Sequence, residues 1–140
     1  MKKQLFLLGC ALGLMWLPAK AAEEEHTELG KHMEAMNDAF KVFRRETDPV
    51  KGAAQAREAQ NEALKAAAEI PKKVKDMPDG PEKAKAAVEY RKAIGKLYIT
   101  LCDVEGAFLA GKIDEVAKLV ESLKGEKKEG HDKFIDKKDE

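Results

Sequence analysis

The chain is 140 residues long, with 26 basic and 26 acidic residues, three histidines and two cysteines. That balance offers no basic patch for nucleic acid, and the length suits one domain with one core. With Cys10 in the leader described next, Cys102 is the only cysteine left to the folded part, so no intrachain disulfide holds it together.

Residues 1–21 read as a secretory signal. Lys2 and Lys3 form a positive start, Gln4–Leu17 is mostly apolar, and Ala19-Lys20-Ala21 is an A-x-A cleavage site. The apolar stretch is short for a membrane span. A rival reading is a lipobox ending at Leu7-Leu8-Gly9-Cys10, which leaves only a short apolar run ahead of Cys10. Cleavage after Ala21 leaves one domain, residues 22–140, exported to the periplasm with no membrane span. Losing Lys2, Lys3 and Lys20 gives it 23 basic against 26 acidic residues, a formal charge of −3. Cys102 reads as a small buried apolar residue, with an intermolecular disulfide as the lesser alternative.

The mature part lacks period-two alternation and is rich in Ala, Glu and Lys, which favour helix. The first helix carries Leu29, Met33, Met36, Phe40 and Phe43 at steps of four and three, behind Thr27 as a cap. Asp48-Pro49 starts the second helix, an N-cap followed by proline at the first helical position. That helix runs to about Ile70 and is marked by Ala53, Ala56, Ala59, Ala63, Leu64 and Ala67, small residues that permit close approach. Pro71 ends or bends it. Asp79-Gly80-Pro81-Glu82 restarts the chain as the third helix, whose stripe is Tyr90, Ile94, Leu97, Leu101, Val104 and Phe108. Gly111 ends that helix. The fourth starts at Lys112 or Asp114 and carries Ile113, Val116, Val120 and Leu123. Gly125 and Gly130 weaken its far half, at roughly 1 kcal/mol each relative to alanine. They read either as room for something bulky or as fraying. The charged tail, Asp136 to Glu140, reads as frayed.

The first and third connections are short, which makes their flanking helices antiparallel neighbours. The expected fold is therefore all-α, an up-down-up-down antiparallel four-helix bundle. In that topology the start of the first helix and the end of the fourth share one end. Met33 and His131 then face each other, a thioether and an imidazole that together form an axial pair for haem iron. The long Pro71–Pro81 connection lies at the same end. His32, about 100° around the helix from Met33, points away from that iron. Glu23-Glu24-Glu25-His26 reads as an exposed acidic leader rather than a metal site. No catalytic triad, phosphate loop or paired carboxylates stand out, so no enzyme activity is expected.

The stretch from Leu29 through Met33-Glu34, Asn37-Asp38 and Phe40-Lys41-Val42 resembles the first helix of the cytochrome b562 family, with its pattern L-x-x-x-M-E-x-(L/M)-N-D-x-(L/F)-K-V. Gly111-Lys112-Ile113 through Leu123-Lys124, with His131 seven residues later, resembles the family's last turn and helix. Ala63-Leu64-Lys65-Ala66, Pro71 and Tyr90-Arg91 fit as well. The resemblance implies one noncovalent haem b per chain, with Met33 and His131 as its axial ligands. It implies a pocket that includes Met36, Pro71, Tyr90 and Ile94, with Lys127 near the haem edge or a propionate. No C-x-x-C-H is present, so covalent c-type attachment is excluded. The expected function is periplasmic electron transfer by a monomer with an unidentified redox partner. A haem-free helical bundle with a binding or structural role is the alternative.

Overall fold

The computed structural model describes residues 27–135. The leader, its cleavage site, Cys10 and the last five residues lie outside the described residues. Five helices follow in chain order: α1 Glu28–Phe43, α2 Pro49–Ala68, α3 Lys72–Lys75, α4 Pro81–Leu109 and α5 Ile113–Phe134. No strand occurs among the described residues. Four long helices make the bundle, and α3 is a single turn within the middle connection.

The ends of these helices follow from local chemistry. The Thr27 hydroxyl accepts from the Gly30 N–H at 2.9 Å. Asp48 accepts from the N–H groups of Val50 and Lys51, with Pro49 behind it at the first helical position. Each cap satisfies donors that a helix start leaves orphaned. At the end of α4 the Lys112 N–H bonds the Ala107 carbonyl and the Gly111 N–H bonds that of Phe108. This pairing needs a left-handed residue, and Gly111 supplies it at φ 70°.

Packing runs in sequence order. α1 lies along α2, α2 along α4, and α4 along α5, while α1 and α5 barely touch. Cross-links fix the directions. Gln60 and Arg57 on α2 reach Leu101 and Glu105 on α4, while Ala66 near the end of α2 meets Tyr90 near the start of α4. Thr100 and Glu89 on α4 meet Glu126 and Lys133 on α5 in the same reversed order. Each pair is antiparallel, as the short connections require.

Alanines make this close approach possible. Ala56, Ala59, Ala63 and Ala66 are fully buried on α2. Phe43, Leu101, Val104 and Phe108 fill the centre. At Gly52 a Cβ would sit 2.3 Å from the Phe108 ring, so only glycine admits that ring. Three details differ from the sequence reading. Leu64 is exposed while Ala66 and Gln60 are buried, because α2 presents Ala56, Ala59, Ala63 and Ala66 inward and Leu64 turns off that face. Cys102 is half-buried rather than buried. α5 runs unbroken through Gly125 and Gly130 to Phe134, because Phe134 is buried edge-on against Tyr90 and anchors the end.

Candidate functional site

On α1, Met36 and Phe43 point fully into the core, while Leu29, Met33 and Phe40 pack against it and stay half-buried. Phe40 also faces the seam with α5. An open groove of about 630 Å³ runs along that seam, lined by Asn37, Phe40, Lys41 and Arg44 of the α1 side and by Lys124, Lys127, Lys128, His131 and Asp132 of α5.

The register across the seam comes from one bond. Lys127 Nζ donates to Asn37 Oδ1 at 2.7 Å. Met33 lies four residues before Asn37, and His131 four residues after Lys127. The two helices run in opposite directions, so one turn from the bond along each leads to the same level. Met33 and His131 therefore share a level on either side of the seam. His131 lines the groove, whereas Met33 is half-buried and is not among its lining residues.

His131 as a whole is exposed. Protein atoms around its ring, and then the Lys127 cation, hold the imidazole below its usual pKa, with Asp132 pulling weakly the other way. The ring is therefore kept neutral, the form that binds a metal. His32 turns elsewhere, its Nδ1 lying 2.7 Å from Glu62 Oε2 on α2. The Glu62 carboxyl lies below its usual range through Lys65 first and His32 second.

The remaining sequence-designated pocket residues are core rather than groove-lining. Met36, Tyr90 and Ile94 are buried, and Pro71 is buried at the start of α3. Tyr90 donates from its hydroxyl to the Ala66 carbonyl at 2.7 Å. Burial, and secondarily Glu69, push its pKa up, so the hydroxyl stays protonated as a donor. Tyr90 and Phe134 form an edge-to-face pair with centroids 5.4 Å apart.

Three residues here escaped the sequence reading as site components. Asn37 and Phe40 line the groove, and Phe134 closes the bundle end. Phe134 lies eleven residues past Leu123, about three helical turns, so extending the α5 stripe points to it. Glu126 lies on that same inward stripe. Its side chain is only 8% exposed. Oε1 accepts from Thr100 and Ser122, while the buried Oε2 has no partner.

The groove and its donors suit a haem. A neutral imidazole and a soft thioether lie level across the seam, Phe40 offers an apolar wall, and lysines and Arg44 rim the opening toward carboxylates. Among the described residues no group of three or more His, Cys, Asp or Glu side chains could hold a bare metal ion instead. No curated protein matches the chain closely enough to name a relative. A family model for cytochrome b562 matches residues 28–134, which spans all four long helices, and the chain belongs to that family.

Proposed function

We propose that this chain carries single electrons in the periplasm, using one noncovalent haem b seated in the α1–α5 groove with Met33 and His131 as axial ligands. Members of the family are haem-binding electron-transfer cytochromes rather than enzymes. The observation that supports the residue assignment is the Asn37–Lys127 bond, which lies one turn from Met33 on α1 and one turn from His131 on α5.

When bound, the haem supplies a one-electron iron couple. The chain supplies the rest. His131 offers a nitrogen free of its proton at neutral pH. Met33 offers a sulfur that favours the reduced metal and raises the potential. With both ligands supplied by the protein, the group would serve electron transfer rather than substrate turnover. Phe40 would give the group an apolar contact, and Lys124, Lys127 and Lys128, which also line the groove, would offer positive charge to its carboxylates. Among the described residues no helix is long and apolar enough to cross a membrane.

The test is the visible spectrum of the purified chain with and without added haem. The wild type should give a six-coordinate low-spin spectrum, and Met33→Ala and His131→Ala should each lose it while helix content survives. His32→Ala should change nothing. If both ligand variants keep the wild-type spectrum, the assignment fails. If the wild type takes up no haem, the chain is a haem-free bundle.

A further inference from the structure

The second half of α5 is held at few points. The buried residues of this helix run Val116, Val120, Leu123 and then, eleven residues on, Phe134. Gly125 and Gly130 lie in between, and both lower the propensity of the segment for helix. A Cβ at either would meet nothing within 4 Å, so no packing contact holds the chain there. α1, across the open groove, barely touches α5. The grip comes from α4. Thr100 donates to Glu126 Oε1 at 2.9 Å. Further along, Glu89 and Tyr90 take hold of the last turn. Lys133 Nζ lies 3.3 Å from Glu89 Oε2, an exposed pair that contributes little. The buried Phe134 ring packs edge-on to Tyr90 with centroids 5.4 Å apart. Tyr90 is itself fixed, buried and bonded through its hydroxyl to the Ala66 carbonyl of α2.

His131 stands three residues before Phe134. Their side chains therefore leave the helix about 60° apart and about 4.5 Å apart along its axis. His131 lines the groove shared with α1, and Phe134 faces α4. The two directions are tied. Turning this part of α5 far enough to carry the imidazole off the groove would pull the Phe134 ring off Tyr90 and into water.

We propose that Phe134 is a positioning residue for His131. Held on Tyr90, it keeps the last turn of α5 helical and fixes its rotation before any haem arrives, so the imidazole already stands at the groove in the empty chain. This role rests on His131 being an iron ligand, as proposed above. It complements the Asn37–Lys127 bond. That bond sets how far along α5 the imidazole stands, and Phe134 sets which way it points. A ligand presented by only a fraction of the molecules lowers the apparent affinity by that fraction. Loss of the anchor therefore weakens haem binding although Phe134 is not among the groove-lining residues.

Hydrogen exchange of the full chain free of haem tests the ordering. The amides of Gly130 to Phe134 should exchange about tenfold more slowly in wild type than in Phe134→Ala, while α2 and α4 keep their protection in both. Phe134→Leu, which keeps an apolar side chain in the same place, should recover most of the difference. Titration with haemin tests the coupling to His131. Phe134→Ala should weaken binding by about the factor seen in exchange, roughly tenfold. In a His131→Ala chain the same substitution should change the affinity by less than about twofold, because the residue through which it acts is gone. An equal loss in both backgrounds makes Phe134 a general support of the fold and overturns the proposal. So does a Phe134→Ala chain whose last turn keeps wild-type protection. Either of these results leaves the ligand assignment standing. A wild type that takes up no haemin, or a His131→Ala chain that binds it as tightly as wild type, instead overturns the ligand assignment and the positioning role with it.

Discussion

Lys127 and Asn37, 90 residues apart in sequence, share a 2.7 Å hydrogen bond across the α1–α5 seam. The bond fixes which turn of α5 stands opposite which turn of α1. Sliding one helix by a turn would put His131 opposite Leu29 or Asn37 rather than Met33. An exposed bond of this kind contributes little to stability, so its value lies in register.

If Met33 is an axial ligand, Met33→His should keep a six-coordinate spectrum and lower the potential. Axial ligands tune haem potentials over about 0.8 V, and a fall on the order of 0.1 V is expected here. Spectroelectrochemical titration reads it. An unchanged potential would count against a thioether on the iron.

The His131 imidazole titrates below its ordinary value because of burial and Lys127. Between that lowered value and about 6.5 the unfolded chain binds the proton that the folded chain refuses. The contribution to stability is thus fully present above about pH 6.5 and is lost as pH falls through the folded value. Lys127→Met should raise the folded value toward the ordinary one and narrow the window. Proton NMR of the His131 ring across pH measures it, and a titration unmoved by the substitution would remove Lys127 as a cause.

Two glycine substitutions should act in opposite directions. Gly52→Ala forces a Cβ into the Phe108 ring and should cost about 1–3 kcal/mol. Gly125→Ala, exposed with open space beside it, should stabilise α5 by about 0.5–1 kcal/mol. Urea unfolding of the two variants compares them, and equal midpoints would contradict the packing at Gly52.

Glu126 buries one carboxylate oxygen with no partner. Glu126→Leu should remove that unpaired group and raise stability by about 1–3 kcal/mol. Thr100 keeps its bond to the Lys96 carbonyl in the variant. A denaturation midpoint lower than wild type would mean that the Thr100 and Ser122 bonds to Glu126 outweigh its burial.

The four long helices were legible because their stripes repeat at three and four and their ends carry Thr27, Asp48-Pro49 and Gly111. The all-α bundle follows from those signals, and the family from the resemblance of residues 29–42 and of residues 111–131 to its first and last helices. Helix α3 was not legible. Its four residues are too few to show a period, and Pro71 reads equally as a stop or as a start. Glu126 was missed because a glutamate is read as surface, and only the partners brought by α4 reveal its burial. Phe134 was missed because Glu126 and Gly130 interrupt the apolar run that leads to it. Met33 and His131 could be brought to one end of the bundle by topology alone, whereas their common level follows from the Asn37–Lys127 bond, a contact between residues 90 apart that the first-helix pattern containing Asn37 does not reveal.

The near-absence of contact between α1 and α5 has a consequence for assembly. Each long helix leans on its neighbour in the chain, so the bundle is held as a sheaf fastened on three sides. The fourth side parts without disturbing the buried alanines of α2 or the Phe43–Phe108 centre. On the proposed function, a planar guest would enter sideways, as a page enters a loose binding, and would leave by the same route. Loading then needs no unfolding. The strength with which the guest is kept depends on the few side chains along one edge, while the stability of the sheaf depends on the other three.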